Sequence, residues 1–312
     1  MAGYAAPKLP TVRVGIIGLG NRGPGHLRTL IQIEGVEIRA LCDKNPDKVT
    51  TARKHLEHTD HAPALYSEGE DEWKKLCERD DIDLVFVTTP YYLHAPMAVY
   101  AMRQGKHVAS EVPAAGTMEE CWQLVQTAEE TRQHLMMLEN YSYMPFHLLT
   151  INMARQGFFG EVVHGDGAYN TSKMGNNFGR DFYSDMWWLR QYAGRRGNVY
   201  PTHGLGPLCQ VMDINRGDRL DFLVSMESND FAMGKKAAEL AGDDPHYAEF
   251  AGLEYRGNIN TTVIRTLRGR TIMLQHDGTT PSPHNLNHGI HGTEGAALFD
   301  PSPPRLSKGD HK

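Results

Sequence analysis

The chain has 312 residues, longer than one hydrophobic core usually serves, so two domains are expected. Apolar residues make up 40%, as in an ordinary globular protein, and no apolar run approaches the roughly 20 residues of a membrane helix. A formal charge of −6 argues against a nucleic-acid partner, because phosphate binding needs a basic surface.

From Thr11 to about Tyr143, short apolar runs alternate with segments of helical period. This is the pattern of a parallel sheet covered by helices, a doubly wound Rossmann fold. Val12–Ile17 reads as a buried strand, 24–33 as a helix and Val36–Cys42 as the second strand. Residues 83–88 form a third strand, followed by Pro90 and a helix over 95–104. His107–Ser110, a helix over 118–132 and a strand over 135–138 complete the half. The domains are read as 11–143 and 144–312.

Between the first strand and the first helix stands Gly18-Leu19-Gly20-Asn21-Arg22-Gly23, and Asp43 lies 20 residues after Gly23, at the end of the next strand. A GxGxxG run alone says little, but in this setting it marks a dinucleotide site. Gly18 permits the tight turn, Gly20 admits the pyrophosphate, and Gly23 lets helix and strand pack closely. Unpaired N–H groups at the helix start meet the anion. Asp43 is suited to the ribose hydroxyls and would repel a 2′-phosphate, so NAD is favoured over NADP, and Arg22 sits at the pyrophosphate rather than at the ribose. Ligands in open sheets lie beyond the carboxyl ends of strands. There the chain places Thr88 to His94, Ser110 to Pro113 and Leu138 to Tyr141. Each segment reads either as cofactor contact or as a Pro-containing turn, helix cap or packed aromatic.

In the C-terminal half, 145–156 reads as a helix ended by Gly157 and Gly160, and 161–169 alternates as a strand. Residues 170–196 carry no clean period, and long irregular segments in compact domains are often functional. Residues 222–226, 258–267 and 271–276 alternate as strands of a mostly antiparallel open sheet in an α+β domain. Tyr200-Pro201-Thr202-His203-Gly204-Leu205-Gly206-Pro207 is the densest cluster of candidate chemistry. A phenol and an imidazole suit acid–base work. The competing reading is that His203 caps the helix and Tyr200 packs. Trp187, Trp188 and Tyr192 read either as core or, with Arg190, as a platform for a sugar face.

His284, His288 and His291 lie in a Pro/Asn/Gly-rich stretch rather than on a helix face, so no metal is expected. His55, His58 and His61 follow a charged helix and are expected to face solvent. Cys42, Cys77, Cys121 and Cys209 are scattered, so neither a disulfide framework nor a zinc site is expected. Met1 to Pro10 lacks the apolar region of a secretory signal. The chain reads as soluble and cytoplasmic as it stands, and as periplasmic or secreted if a signal was removed.

With these motifs in view, the whole chain resembles the Gfo/Idh/MocA oxidoreductase superfamily, on the glycine loop, Thr89-Pro90 with His94, and Glu111-Val112-Pro113. More closely it resembles glycoside hydrolase family 109, the NAD-dependent α-N-acetylgalactosaminidases. That likeness rests on Leu138-Glu139-Asn140, on the Tyr200 to Pro207 tract and on Asp213-Ile214-Asn215-Arg216-Gly217-Asp218-Arg219. Sugar dehydrogenases of the superfamily carry Glu-Lys-Pro where Val112 stands here, and Asp-x-Gly-x-His where Thr202 and Gly206 stand. A plain alcohol oxidation would therefore lack its usual proton acceptor.

The resemblance implies that Asn21, Arg22, Asp43, Tyr91, Tyr92, Leu93, His94, Glu111, Val112 and Asn140 line NAD together with Gly18, Gly20 and Gly23. Pro201, Thr202 and His203 would lie between NAD and sugar. Glu139, Tyr169, Arg190, Tyr200 and His284 would contact the sugar, with His284 where relatives often have Tyr. His203, Tyr200 and Tyr169 would be catalytic, His203 or Tyr200 at the C3 hydroxyl and Tyr169, helped by Arg190 or the nicotinamide, at the C2 proton. The implied reaction removes and later returns a hydride at C3, with elimination of the aglycone and addition of water between, an exception to carboxylate-pair glycosidases. The alternative is an NAD-dependent sugar or inositol dehydrogenase. A small sugar or glycan is the implied partner, and a homo-oligomer, dimer or tetramer, the implied assembly. Relatives continue past Gly292-Thr293-Glu294-Gly295 with a further segment, where this chain has a Pro-rich tail, Pro301-Ser302-Pro303-Pro304.

Overall fold

The computed structural model describes residues 4–299 and 305–308; the Pro301–Pro304 tail lies outside the described residues. Contacts divide the chain into two compact units, 1–138 and 139–312.

The N-terminal unit is built on six parallel strands: β1 (Val12–Ile17), β2 (Val36–Cys42), β3 (Ala64–Tyr66), β4 (Leu84–Val87), β5 (His107–Ser110) and β6 (Leu135–Met137). Their order is β3-β2-β1-β4-β5-β6. The order reverses beside β1, where doubly wound sheets bind ligands. Val14, Ile16, Ile38, Leu41, Val85 and Val87 are buried, as expected of strands covered on both faces. The sequence places β1, β2, β4, β5 and β6 within a residue or so of these bounds. The charged helix expected before His55 is Pro46–Arg53, whereas β3 and the helix Glu72–Cys77, whose charged residues blur the period, carry no such signal. His61 departs from its expected solvent role: its Nδ1 accepts from the Ile38 amide at 3.3 Å.

The C-terminal unit has a seven-stranded sheet. It comprises β7 (Val162–Asn170), β8 (Leu220–Glu227), β9 (Ile259–Thr266), β10 (Thr271–Asp277), β11 (Gly289–Gly292), β12 (Gly295–Leu298) and β13 (Arg305–Lys308). The order is β13-β12-β11-β7-β10-β9-β8. The β7–β10 pair is parallel, and the other pairs are antiparallel. Helix Thr202–Val211 packs on the sheet around Leu208, Met212, Ile264, Ile272, Leu274 and Ile290.

Close backbone approach sets that helix in place. A Cβ on Gly167 of β7 would lie 2.4 Å from the Gly204 carbonyl oxygen, and one on Gly204 would lie 2.9 Å from the Ala168 amide nitrogen. Only glycine at both positions permits the contact, since protein interiors leave no slack for an added methyl. The segment 170–196, without a period in sequence, contains the short helices Met174–Phe178 and Trp187–Tyr192 around a second core of Phe178, Leu189, Tyr192, Phe250 and Tyr255.

Candidate functional site

The N-terminal unit carries the expected dinucleotide loop. Gly18 has φ +93°, and a Cβ there would meet the Thr88 carbonyl carbon at 2.7 Å. A Cβ on Gly23 would lie 2.0 Å from the Gly18 carbonyl oxygen, so the first helix starts tight against the turn. Gly20 is different: its nearest neighbour would be Lys48 Nζ at 3.8 Å, which leaves that face open for a ligand to approach. Helix Gly23–Leu30 follows with no side chain capping its N-terminus. Pro24 has no N–H, and the Gly25 and His26 N–H groups bond to the Arg22 carbonyl at 2.9 and 3.1 Å, which leaves the Gly23 N–H at the helix start to meet an anion. Asp43 Oδ2 accepts from the Leu19 amide at 2.7 Å, and its Oδ1 accepts from the Asn45 amide at 2.9 Å. The carboxylate is thus fixed beside the loop, at the end of β2.

Glu111 is buried and meets both Arg22 and His26. Arg22 Nε lies 3.1 Å and His26 Nε2 2.6 Å from its Oε1. Burial alone would raise this acid, but the His26 hydrogen bond and the Arg22 charge outweigh it and hold it below the usual carboxylate range. Val112 is buried beside Glu111, and the Val112–Pro113 peptide is cis. His94 is also buried, with Nδ1 2.8 Å from the Pro113 carbonyl and Nε2 2.8 Å from the Thr89 carbonyl. Both ring nitrogens face backbone carbonyls, so His94 ties the two ligand-side loops together and has no ring nitrogen left for a cofactor. Tyr91 is buried, Leu93 is partly buried, and Tyr92 and Asn21 are exposed.

The C-terminal unit holds a cluster around His203, in the first turn of helix Thr202–Val211. Its Nδ1 lies 2.7 Å from Glu139 Oε1 and 2.9 Å from Oε2. Both side chains are about 93% buried, at 7% exposure each. Gly206 allows this pairing, because a Cβ there would meet Glu139 Cγ at 2.7 Å. Glu139 was expected at the sugar; its carboxylate instead holds His203 and accepts from the Tyr141 amide at 3.0 Å. A carboxylate on Nδ1–H leaves the lone pair on Nε2 and fixes the ring.

Aromatic rings close around that imidazole. Tyr141 is 4.3 Å, Tyr169 4.8 Å and Tyr200 4.9 Å from it by ring centroids. His284 joins through Tyr141, whose hydroxyl is 3.4 Å from His284 Nε2. Burial pushes the Tyr169 phenol up, with Tyr141 nearby adding to the shift, so it stays protonated. Tyr169 therefore suits hydrogen-bond donation better than the base role expected of it. Thr202 Oγ1 is buried without a hydrogen-bond partner. Asn140 is exposed on the short 3₁₀ turn Asn140–Tyr143 that leads into the cluster.

Arg190 goes elsewhere. Its guanidinium forks onto Glu249 at 2.7 Å and 3.0 Å and lies 4.9 Å from the Phe250 ring. The help it was to give Tyr169 is not delivered by this geometry. The three late histidines also part ways: His288 packs 4.3 Å from His147, and His291 meets Asp166 at 3.0 Å. Among the described residues no group of three metal-ligating side chains converges, and no helix is long and apolar enough to cross a membrane.

Tyr169 and Tyr200 also line a recess with Lys173, Asn177, Trp188 and His276. The sequence reading passed over Lys173, Asn177 and His276. A signal existed for His276: alternation along β10 puts it at the same inward positions as Ile272 and Leu274. A polar residue in a core-facing slot marks a position with a polar task.

A Rossmann unit with an open glycine loop, followed by a mixed sheet bearing a histidine–carboxylate pair, defines a nucleotide-dependent enzyme of the Gfo/Idh/MocA type. Residues 12–139 match the family model described as the oxidoreductase family, NAD-binding Rossmann fold. Residues 143–303 match the model described as the glycosyl hydrolase 109 C-terminal domain. The chain is 48% identical over 304 residues to an alpha-N-acetylgalactosaminidase of Bacteroides fragilis, covering 96% of this chain and 71% of that protein. It is 44% identical over 307 residues to a glycosyl hydrolase family 109 protein of Shewanella pealeana, covering 98% of this chain and 66% of that protein. The chain belongs to glycosyl hydrolase family 109, and its N-terminal domain is an NAD-binding Rossmann domain. Among solved structures, a levoglucosan dehydrogenase in complex with NADH and levoglucosan matches with a TM-score of 0.74 at 20% identity, covering 97% of this chain and 77% of that one. Scyllo-inositol dehydrogenase from Lactobacillus casei with bound NAD(H) and scyllo-inositol gives 0.69 at 16% identity, covering 94% and 77%. At such identities the likeness is one of fold.

Proposed function

We propose that this protein hydrolyses terminal α-N-acetylgalactosaminides or closely related hexosides, using NAD that is reduced and reoxidised within each turnover. The carrying observation is the buried Glu139–His203 pair at 2.7 Å beside Tyr169. It supplies a proton acceptor in a chain whose Val112 stands where related dehydrogenases carry a lysine. The name of the Bacteroides fragilis relative supplies the sugar.

The residues present fit NAD. The open face of Gly20 would receive the pyrophosphate, and the Gly23 N–H at the start of helix Gly23–Leu30 would face it. Asp43, fixed by Leu19 and Asn45 amides, would accept from ribose hydroxyls and repel a 2′-phosphate, which favours NAD over NADP. When bound, NAD supplies a reversible hydride acceptor at sugar C3, and a ketone there acidifies the neighbouring C2 proton.

His203 Nε2 takes the proton, while Glu139 stabilises the imidazolium through Nδ1–H. Which proton it removes, from the C3 hydroxyl or from C2, follows from the orientation of the sugar. Tyr169, held as a neutral phenol, donates a hydrogen bond to a sugar oxygen. Tyr200, 5.3 Å from Tyr169 by ring centroids and 5.6 Å from Trp188, forms the aromatic wall.

An aryl α-N-acetylgalactosaminide offered with no added cofactor tests the reading. Release of the aglycone without net NADH, with deuterium entering at C2 from heavy water, is the expected result. NADH accumulating from free sugar would identify a dehydrogenase instead, and a product that keeps its C2 hydrogen would exclude elimination.

A further inference from the structure

The recess beside Tyr169 and Tyr200 holds polar groups that the reaction above does not use. His276 is 1% exposed, and its Nδ1 lies 2.9 Å from the Tyr169 carbonyl oxygen. Only an N–H can satisfy that carbonyl, so Nε2 carries the lone pair, and this atom is buried with no partner. Burial and the charge of Arg256 hold the ring neutral, its pKa pushed down to about 3. Asn177 is likewise 1% exposed, and its buried Nδ2 makes no hydrogen bond of full geometry, although the Tyr192 phenol beside it takes up part of its donor capacity. Lys173 is half-buried, its pKa lowered by burial with no carboxylate acting on it. Buried polar atoms without partners are costly unless a ligand satisfies them.

The recess therefore offers an unpartnered acceptor, His276 Nε2, donors from Lys173 and Asn177, and the phenols of Tyr183 and Tyr192, which can donate or accept, against the aromatic wall of Trp188 and Tyr169. A carboxylate would set its lone pairs against His276. A single hydroxyl would satisfy the acceptor and one donor and leave the rest unmet. A secondary amide matches the unpartnered groups: its N–H meets His276, its carbonyl meets Lys173 and Asn177, and its methyl meets the aromatic rings. Size agrees. The recess encloses about 60 Å³, roughly four times the ~15 Å³ that one water needs, and an acetamido group has about four non-hydrogen atoms.

We propose that this recess receives the 2-acetamido group of the sugar, and that His276, Lys173 and Asn177 set a preference for N-acetylhexosamines over plain hexoses. The proposal deepens the glycosidase reading and rests on it for the sugar that arrives. Its test is binding, not turnover: calorimetric titration of the full chain, with NAD present, with free N-acetylgalactosamine and with free galactose. The wild type should prefer the amino sugar by about tenfold or more, and Lys173→Met and His276→Phe should each bring the ratio close to one. Thermal midpoints report on folding, and Lys173→Met, at a half-buried side chain with no ion pair among the described residues, keeps the test open if His276→Phe unfolds. No preference in the wild type, or an undiminished ratio in folded variants, overturns the proposal. Preferential binding without aglycone release would overturn the glycosidase reading and leave the recess assignment standing.

Discussion

Glu139 and His203, separated by 64 residues in the chain, meet at 2.7 Å between Oε1 and Nδ1. The contact exists because Gly206, one helical turn beyond His203, has no side chain to fill the space that Glu139 occupies. Glu139→Gln keeps the shape but presents an amide to Nδ1, which no longer stabilises an imidazolium. Turnover should fall by about 10²-fold or more, in line with losses of general-base function. Fluorescence titration should find NAD affinity unchanged, because Glu139 lies outside the N-terminal unit. Turnover within a few-fold of wild type would remove His203 from the base role.

Gly167→Ala should destabilise the protein and impair turnover together. The new methyl would sit 2.4 Å from the Gly204 carbonyl oxygen, a backbone atom that cannot swing aside. Overpacking of this kind costs about 1–3 kcal/mol. Because β7 also carries Tyr169, the shift should misplace that phenol relative to His203. Thermal melting and aryl-glycoside turnover measured on one preparation would show whether the two losses travel together.

Gly18→Ala and Gly25→Ala make a matched pair in the cofactor loop. Gly18 has φ +93° with Thr88 at 2.7 Å from a would-be Cβ, whereas a Cβ on Gly25 meets nothing within 4 Å. Gly18→Ala should weaken NAD binding at least about tenfold, since both strain and collision displace the loop. Gly25→Ala should melt at the same temperature or slightly higher, as alanine is the better helix former. Equal NAD affinities in the two variants would contradict the role given to the loop.

Acid should destabilise the fold partly through His288. Burial, reinforced by His147, holds its pKa down to about 3, against about 6.5 in an unfolded chain. Above pH 6.5 neither state binds the proton. As pH falls below 6.5 the unfolded chain takes it up and the native state does not, so stability is lost progressively down to about pH 3. His288→Phe, in a site already walled by Phe146 and His147, should flatten the fall in melting temperature over this window. An acid branch as steep as that of the wild type would count against the buried neutral imidazole.

The cofactor half was legible in the sequence because its parts are local. Gly18 to Gly23 form one turn, and Asp43 follows at the end of the adjacent strand; a parallel sheet fixes both by strand–helix alternation alone. His203 and Tyr200 were legible as types in a motif, but Glu139's task was not. Arg190 read as a sugar ligand, yet Glu249, 59 residues on, takes its guanidinium. Lys173 and Asn177 were hidden in a segment without a period, whose short helices are held by tertiary packing rather than by propensity.

By itself, then, the sequence determined the Rossmann unit, its nucleotide loop and the family-specific tract from Tyr200 to Pro207, all features carried by neighbours along the chain. Tertiary structure alone decided that Glu139 orients His203, that burial keeps Tyr169 protonated, and that His276 turns an unpartnered lone pair into a recess. The physical reason is common to all three. Proton affinity and hydrogen-bond satisfaction depend on desolvation and on partners distant in sequence, and both come into being only when the chain has packed.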